Sequence, residues 1–315
     1  MRLHDFVNPK KPNRSPRRKG NTQSRSARRG LTPVALLLVV VFAAALYLAY
    51  IRIIAPMRNP APGDGEVAVH FIDVGQGDSV LIHTSQGSVL IDGGDIAMGN
   101  RVVEYLRNAG VKELAYVIAT HPHSDHIGGL ITVLDELPVG TLIMPNVVHT
   151  TRTFERFLDA IEDNDVPLME PVVGESFTVG GAVFTIISPN SDRYRELNNY
   201  SVSLRMVFGS TAFVFTGDAE ALPESEMLRH SLSADVLYVG HHGSSTSTSR
   251  EFLDSVAPSV AVISLGRGNT YGHPHDEVLD MLDEAGIAIY RTDLHGHIVM
   301  VTDGSEISVK YERSY

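Results

Sequence analysis

The segment HPHSDH at residues 121–126 places three histidines and one aspartate within six residues. His121 and His123 follow the apolar run LAYVIAT with one residue between them, so in an extended chain their side chains point to the same side. Two imidazoles in this arrangement can bind one metal ion, and Asp125 and His126, where the chain turns into a helix, can face a second ion. Core packing requires no such cluster, and we therefore interpret the segment as a candidate metal-binding site.

Further candidate ligands follow other apolar runs. Asp218 ends the run TAFVFTGD, and a carboxylate with two oxygens can bridge two metal ions. The pair His241 and His242 follows the run DVLYVG, and His273 and His275 lie in GHPH before a helical pattern. Taken alone, Asp218 could instead cap the following helix, and the last two histidines could be ordinary loop residues. We expect six metal ligands, namely His121, His123, Asp125, His126, Asp218 and His242.

The expected chemistry is hydrolysis by water. Two divalent cations lower the pKa of a water molecule held between them, so no serine or threonine is needed as a nucleophile. One histidine of the pair 241–242 would complete the metal set, and the other would protonate the leaving group or bind a phosphate oxygen. We favour His242 as the ligand and assign the catalytic roles to Asp125, His241 and His242.

Two glycine-containing segments carry further polar candidates. DVGQGDS, residues 73–79, links two predicted strands, and its glycines permit either a plain hairpin turn or a close approach of the backbone to an anion. Gln76 and Asp78 in this segment could orient the substrate or support a metal ligand. Asp92 in LIDGG could accept a hydrogen bond from a ligand histidine, which would fix the tautomer of that ring. His273 is a further candidate for one of these supporting roles.

The segments that must position these side chains alternate between strand and helix patterns. Apolar runs such as VAVHFI, SVLIHT, LAYVIAT and TAFVFTG are interleaved with helical patterns such as NRVVEYLRNAG and DEVLDMLDEAG. This alternation predicts an α/β domain with more than one sheet layer. The polar clusters come directly after apolar strands, and α/β folds place their chemistry in the loops at strand ends.

Charge and cysteine content restrict the function. The chain has no cysteine, which excludes thiolate metal ligands, disulfides and a cysteine nucleophile. Residues 1–30 carry ten Lys or Arg against one acid, whereas residues 66–315 carry 14 against 35, a net charge of −21. This charge disfavours tight binding of DNA, since nucleic-acid affinity rests largely on cationic side chains at phosphates. Five arginines could form a local basic patch or lie scattered in solvent: Arg152, Arg156, Arg193, Arg195 and Arg205.

The composition changes three times along the chain. Residues 1–30 are basic and lack apolar periodicity, which predicts a disordered tail. Residues 31–54 contain an uncharged apolar run at 34–51, which predicts a transmembrane helix; the alternatives are a buried core helix and a cleaved signal peptide. Residues 55–65 form a Pro/Gly linker, and residues 66–315 form the globular domain. The basic block before the span predicts a single-pass protein of the cytoplasmic membrane, with the tail in the cytoplasm and the domain outside the cell.

The motifs resemble, in this order, those of the metallo-β-lactamase fold: HPHSDH, TGD and HHGS. The segments HFIDVGQGDSVLI, LIDGG, TGDAE, VGHHGSS and GHPH are similar to one branch of that fold, the C-terminal metallo-hydrolase domain of ComEC-type competence (DNA-uptake) proteins. The resemblance covers residues 66–312. It implies an α/β fold of four layers, an αβ/βα sandwich, with metal ions between loops at one edge of the two sheets. It also implies phosphodiesterase or nuclease chemistry.

The chain departs from the wider family at one ligand position. Many dinuclear members carry another histidine between HPHSDH and the bridging aspartate, but here only His149 lies in that interval, too early for the role. The expected region reads ELNNYSVSL, with Asn198, Asn199 and Ser201, as is typical of the competence-type branch. One ion would then have a weaker oxygen ligand or water, and Asn199 and Ser201 become candidates for substrate contact or ligand support. For two divalent ions with histidine-rich ligands we expect Zn²⁺ first and Mn²⁺ second.

These observations predict a membrane-anchored, exterior-facing hydrolase that uses two metal ions. The resemblance favours a phosphodiester substrate, with DNA as one candidate, although a channel with many spans is absent and the chain cannot itself import DNA. The alternatives are a hydrolase of small esters, lactones or β-lactams on the same metals, and a binding module without catalysis. The sequence indicates the cytoplasmic membrane as a partner and no protein partner.

Overall fold

The computed structural model describes residues 33–53 and 61–313, with the backbone alone at 34–36 and 48–53. The described residues fall into two units, residues 33–53 and residues 61–313. In the first unit the apolar residues form one helix, α1 (Pro33–Ile53). Within the described residues, however, no helix has the length and apolar character needed to cross a membrane, so the predicted span at 31–54 is not supported. The predicted tail at 1–30 lies outside the described residues.

The second unit contains two β-sheets. Its strands are β1 (Val67–Phe71), β2 (Val80–Thr84), β3 (Gly87–Ile91), β4 (Leu114–Ile118), β5 (Val139–Ile143), β6 (Leu168–Met169), β7 (Ser176–Val179), β8 (Ala182–Ser188), β9 (Ser203–Phe208), β10 (Thr211–Phe215), β11 (Val236–Tyr238), β12 (Val260–Ile263), β13 (Ala288–Arg291), β14 (Ile298–Thr302) and β15 (Ile307–Tyr311). One sheet has the order β15-β14-β1-β2-β3-β4-β5-β6, and the other has the order β13-β12-β11-β10-β9-β8-β7.

Helices cover the outer face of each sheet. They are α2 (Gly99–Asn108), α3 (Ser124–Glu136), α4 (Arg152–Asp163), α5 (Ala221–Met227), α6 (Arg250–Val256) and α7 (Asp276–Glu284), while the short α8 (Thr292–His295) lies between β13 and β14 in the chain. Side chains of α2, α3 and α4 pack with the first sheet, and those of α5, α6 and α7 pack with the second. A third apolar core, which includes Phe71, Phe184 and Phe215, fills the space between the sheets. The predicted four-layer sandwich is confirmed.

Parallel pairing brings the candidate loops to the ends of neighbouring strands. Strands β3, β4 and β5 are parallel, as are β10, β11, β12 and β13, so within each set the carboxyl ends lie at one edge. Asp92 follows β3, and HPHSDH follows β4. Asp218 follows β10, and the pair 241–242 follows β11. The fold therefore explains why ligand-type residues far apart in sequence meet in one place.

A buried histidine beneath α2 makes the stability of this domain sensitive to acid. His70 on β1 is 1% exposed, and its Nδ1 lies 3.0 Å from the Tyr105 hydroxyl. Burial, and then the nearby His83, lower the pKa of His70 from 6.5 to about 3. Between pH 6.5 and about pH 3, His70 binds a proton in the unfolded chain but not in the folded chain. The free energy of unfolding therefore falls as the pH drops through this range.

We expect His70→Gln to flatten that dependence. Over the window the wild-type free energy of unfolding should fall more steeply than that of the variant, by up to roughly 1.4 kcal/mol per pH unit. Urea unfolding of the full chain at several pH values between neutrality and pH 4 measures both slopes. Equal slopes would contradict the assignment.

Candidate metal centre

The segment after β4 brings its three histidines together. His121 and His126 are fully buried, and His121 Nε2 lies 2.9 Å from His123 Nδ1. Helix α3 begins at Ser124, directly after His123, so the next two residues, Asp125 and His126, project from its first turn. The chain thus changes from extended to helical between His123 and Asp125, which separates His121 and His123 from Asp125 and His126.

Asp218 lies at the centre of the donor set. Its Oδ2 is 3.7 Å from His121 Nε2 and 3.3 Å from His126 Nε2. The same oxygen is 3.8 Å from Nε2 of both His241 and His242. Two donors that bind one zinc ion at about 2.1 Å with a tetrahedral angle lie roughly 3.4 Å apart. The spacing of four imidazoles around one carboxylate therefore matches the spacing of metal donors.

The six expected ligands fall into two groups in which the ligand atoms lie within 4.8 Å of one another: His121, His123 and Asp218 in one, and Asp125, His126 and His242 in the other. Asp78 forms further groups of this kind with Asp218 and His242, and with Asp92 and His126. Three of the buried donor atoms, His126 Nε2, His242 Nε2 and Asp218 Oδ1, have no hydrogen-bond partner among the described residues. An unsatisfied buried polar atom costs about 1–3 kcal/mol. A cation bound by these lone pairs would remove that cost, so the residues fit a metal site.

The electrostatics of the cluster also favour a cation. Burial lowers the pKa of His121 well below its ordinary value, so the ring is neutral and has a free lone pair. Burial raises the pKa of Asp218, but His126 and His242 outweigh this effect and hold it well below its ordinary value, so the side chain is a carboxylate. Burial likewise opposes protonation of His126, yet Asp218, Asp92 and Asp125 raise its pKa well above its ordinary value, so without a metal the ring carries a proton that a bound cation would displace. Neutral imidazole and ionised carboxylate are the forms that bind metals.

Asp92 holds the ring of His126 in place. This buried carboxylate accepts hydrogen bonds from the Thr120 amide at 2.9 Å, the Thr120 hydroxyl at 2.7 Å and His126 Nδ1 at 2.8 Å. With Nδ1 donating to Asp92, Nε2 is the atom of His126 that faces Asp218 and would offer its lone pair to a metal ion. The supporting role predicted for Asp92 agrees with this geometry.

We expect Asp92→Asn to reduce hydrolysis by roughly 10- to 100-fold, the usual cost of losing a partner of a metal-ligating histidine. The substitution removes the negative charge. In either orientation of the amide, its NH₂ group replaces an oxygen that accepts a hydrogen bond from Thr120 or His126, so at least one of these bonds is lost. Asp95→Asn is the matched control, because Asp95 only accepts a hydrogen bond from Ala97 at a nearby short turn. Steady-state rates of both variants, with circular dichroism to check folding, make the comparison. Equal rates in the two variants would count against the role of Asp92.

The pair after β11 is presented by a strained turn. His241 and His242 both have left-handed backbone angles, with φ of 49° and 55°. His242 is buried, and its Nδ1 donates to the Ser264 carbonyl at 3.0 Å and lies 3.2 Å from Asp78 Oδ1. The side chain of His241 is 22% exposed, and its Nδ1 lies 2.9 Å from the Thr246 hydroxyl. Strain of this kind is characteristic of functional sites.

The loop at residues 73–79 packs on one of the candidate ligands, Asp125. A Cβ on Gly77, where φ is +124°, would lie 2.2 Å from the carbonyl oxygen of Asp125. The amide of Asp78 donates to that same oxygen at 3.1 Å. Glycine is needed at residue 77 because the chain's own backbone approaches it closely. Gln76 reaches the neighbouring pocket, and its Oε1 accepts from the Gly266 amide at 3.3 Å.

A pocket of about 320 Å³ opens next to these donors. It is lined by Gln76, His123, Ser124, Asp125, His149, Thr151, Asn198, Asp218, His241, His242, Tyr271 and His273. None of these lining residues is Lys or Arg, and none of the five arginines considered for a basic patch is among them. The His149 ring lies 5.8 Å from the His123 ring, so this residue borders the site although the sequence order had excluded it as a ligand.

The remaining candidates have different positions. Asn198 Nδ2 lies 3.4 Å from His241 Nε2, whereas Asn199 is occupied by Glu220, whose amide donates to Asn199 Oδ1 at 3.1 Å. Ser201 accepts from the Asp218 amide at 3.1 Å and so supports the central carboxylate. His273 lines the pocket, and burial, then His242, lower its pKa to about 4. Sequence reasoning missed six residues that contact the candidate ligands or line the pocket, namely Thr120, Ser124, Thr151, Thr246, Ser264 and Tyr271.

Comparison with known proteins gives the family. Residues 72–267 match the family model described as Metallo-beta-lactamase superfamily. The chain is 34% identical over 253 residues to ComE operon protein 3 of Bacillus subtilis, and the match covers 74% of this chain and 33% of that protein. It is 32% identical over 271 residues to Competence protein ComA of Neisseria gonorrhoeae, and this match covers 85% of this chain and 35% of that protein. The chain thus spans about a third of the length of these relatives.

Among solved structures, CmlA, described as a diiron beta-hydroxylase from Streptomyces venezuelae, has the same fold. The TM-score is 0.50 at 14% sequence identity, and the match covers 75% of this chain and 54% of that chain. The likeness shows the fold alone. The predicted resemblance to competence-type metallo-hydrolase domains is confirmed. With the matched family model, the two sheets and the grouped donors, the chain belongs to the metallo-beta-lactamase superfamily and is a metal-dependent hydrolase of that superfamily.

Proposed function

We propose that this chain is a phosphodiesterase that holds two divalent cations. The observation that carries the proposal is the position of Asp218, whose carboxylate is surrounded by four imidazoles while three buried donor atoms of the cluster are unpaired. The phosphodiester substrate is supported by the similarity to proteins named for competence. The matched region is about a third of the length of those proteins.

Each ligand has a place in this proposal. His121, His123 and Asp218 would hold one ion, and Asp125, His126 and His242 the other, with Asp218 shared between them. Two bound divalent cations supply Lewis acidity and lower the pKa of a bound water. Because every donor is nitrogen or oxygen and one expected imidazole is replaced by the asparagine-containing segment, Zn²⁺ is the first candidate and Mn²⁺ the second.

His241 is suited to proton transfer. It borders the pocket next to the donor set, and its Nδ1 is engaged by Thr246, which leaves Nε2 directed toward Asn198 and Asp218. We assign His241 the role of protonating the leaving oxygen. The Asn198 amide, on the same wall, is placed to donate a hydrogen bond to a phosphate oxygen. Asp125 combines its ligand role with a position on the pocket lining beside the reacting group.

The substrate class is tested by a direct comparison. Full-length protein loaded with Zn²⁺ or Mn²⁺ is assayed on bis(p-nitrophenyl) phosphate, single-stranded DNA, a lactone and a β-lactam. The proposal expects turnover of the phosphodiesters and much slower turnover of the lactone and the lactam. Hydrolysis of the lactone or lactam without hydrolysis of either phosphodiester would instead identify the second hypothesis, a small-ester or lactam hydrolase.

The cellular location is a proposal from sequence alone. The ten basic residues before the apolar run favour an anchored protein with its catalytic domain outside the cell. If so, protease added to intact cells should degrade the domain. Degradation that occurs only after lysis would contradict the external location.

A further inference from the structure

One exposed aromatic side chain stands at the rim of the pocket. Tyr271 is 65% exposed, and it is the only Phe, Tyr or Trp among the described residues that line the pocket. Its ring is nearly parallel to that of His273, with the centroids 5.7 Å apart and an interplanar angle of 23°. An apolar ring left in water beside a site of hydrolysis is a typical contact surface for a ligand.

The loop that carries Tyr271 is held in place by one side chain. Asn269 Oδ1 accepts from the amides of Tyr271 and His273, each at 3.1 Å. Asn269 Nδ2 donates to the carbonyls of Gly266 at 3.2 Å and His273 at 2.6 Å. The loop is also joined to the site, because the His275 amide donates to the Gly243 carbonyl at 2.9 Å. The backbone that carries the ring is therefore held in place, and little loop entropy is lost when a ligand covers the ring.

A series of rings connects Tyr271 with the donor set. The centroid of His273 lies 5.6 Å from that of His241 and 6.2 Å from that of His242. Tyr271 also lines the same pocket as Asp218 and His241, so a planar group stacked on its ring would lie in the pocket that the donors border. A nucleotide has this arrangement of parts, with an aromatic base one sugar away from a phosphate.

The lining of the pocket leaves the base as the main source of affinity for a nucleotide, apart from the metal site. No Lys or Arg is among the described residues that line the pocket, so a run of phosphates would find no cationic side chains there. Stacking on an aromatic ring is worth about 1–3 kcal/mol per base and accepts any base. Bases within a duplex are already stacked on their neighbours, so this contact is open only to an unpaired base.

Resting on the proposed phosphodiesterase function, we propose that Tyr271 binds an unpaired nucleobase next to the scissile phosphodiester. The substrate class is then a nucleotide diester whose base is unpaired. The contribution is to substrate binding, and it acts through the face of the ring, so the hydroxyl of Tyr271 is not required.

The test compares two esters with the same leaving group. Thymidine 5′-(p-nitrophenyl phosphate) carries a base, and methyl p-nitrophenyl phosphate does not. For Tyr271→Ala we expect the ratio of kcat/KM between the thymidine and methyl esters to fall about tenfold, mainly through a higher KM for the thymidine ester. Tyr271→Phe should keep the wild-type ratio, as should Tyr311→Ala, which removes an exposed tyrosine on β15. An unchanged ratio in Tyr271→Ala would overturn the stacking proposal and leave the proposed function intact.

Binding of the product separates the two proposals further. Thymidine 5′-monophosphate, titrated into the metal-loaded protein by calorimetry, should bind about tenfold more weakly to Tyr271→Ala than to wild type or Tyr271→Phe. If neither ester is hydrolysed by the wild type, the phosphodiesterase function is refuted, and this titration still decides whether Tyr271 binds a base. Equal affinity in all three proteins would refute the stacking proposal.

Discussion

Replacing Asp218 with asparagine is expected to reduce phosphodiester hydrolysis by on the order of a thousandfold. The amide keeps the shape of the side chain but removes the charge that lies within 3.8 Å of four imidazole nitrogens. Two cations held close together need that charge, and their contribution to transition-state stabilisation amounts to several kcal/mol. The backbone of residue 218 keeps its hydrogen bond to Ser201, so the loop should retain its conformation.

His121→Ala is the companion variant, because it removes a donor from the same group. Both variants should lose turnover on the same substrates, while Asp254→Asn, an exposed change on α6, should retain it. Thermal unfolding of the metal-free proteins should differ little, because the sandwich packing does not depend on one loop. Activity equal to wild type in both Asp218→Asn and His121→Ala would refute the assignment of this site as catalytic.

The histidine pair after β11 should separate into two roles. His242→Ala removes a buried donor whose Nε2 is 3.4 Å from Asp125, so we expect loss of one ion and a fall of at least a hundredfold in turnover of every substrate. His241→Ala should retain both ions. Its rate on single-stranded DNA should fall by about a hundredfold, because an alkoxide leaving group needs a proton.

The choice of leaving group makes this distinction sharp. p-Nitrophenolate leaves without protonation, so His241→Ala should be much less impaired on bis(p-nitrophenyl) phosphate than on DNA. His242→Ala should be impaired on both. The reverse pattern, with an ion lost from His241→Ala and retained in His242→Ala, would exchange the two assignments.

Much of the fold could be predicted because its central strands are buried on both faces. Runs such as TAFVFTG and LAYVIAT are continuously apolar, and they form β10 and β4. The strands without a clear signal are short or lie near sheet edges. β15, with the sequence ISVKY, is half exposed, and β6 has only two residues. Helix α6 has seven residues, which is too short for its periodicity to stand out.

The candidate site could be predicted where a ligand type directly follows a strand. Asp218 and His242 were identifiable for that reason, since parallel strands bring their carboxyl ends to one edge. The position of Tyr271 could not be predicted, because it depends on four hydrogen bonds that Asn269 makes within its loop. Asn199 shows the converse case. It stands where a site residue was expected, but its side chain is bonded to Glu220.

The central claim is that six side chains hold two metal ions, and the most direct test is the metal content of the full-length protein. After reconstitution with Zn²⁺ or Mn²⁺ and removal of free metal, elemental analysis should give about two ions per chain for the wild type. Asp218→Asn should bind fewer. A metal content near zero in wild-type protein whose circular dichroism shows an intact fold would contradict the account.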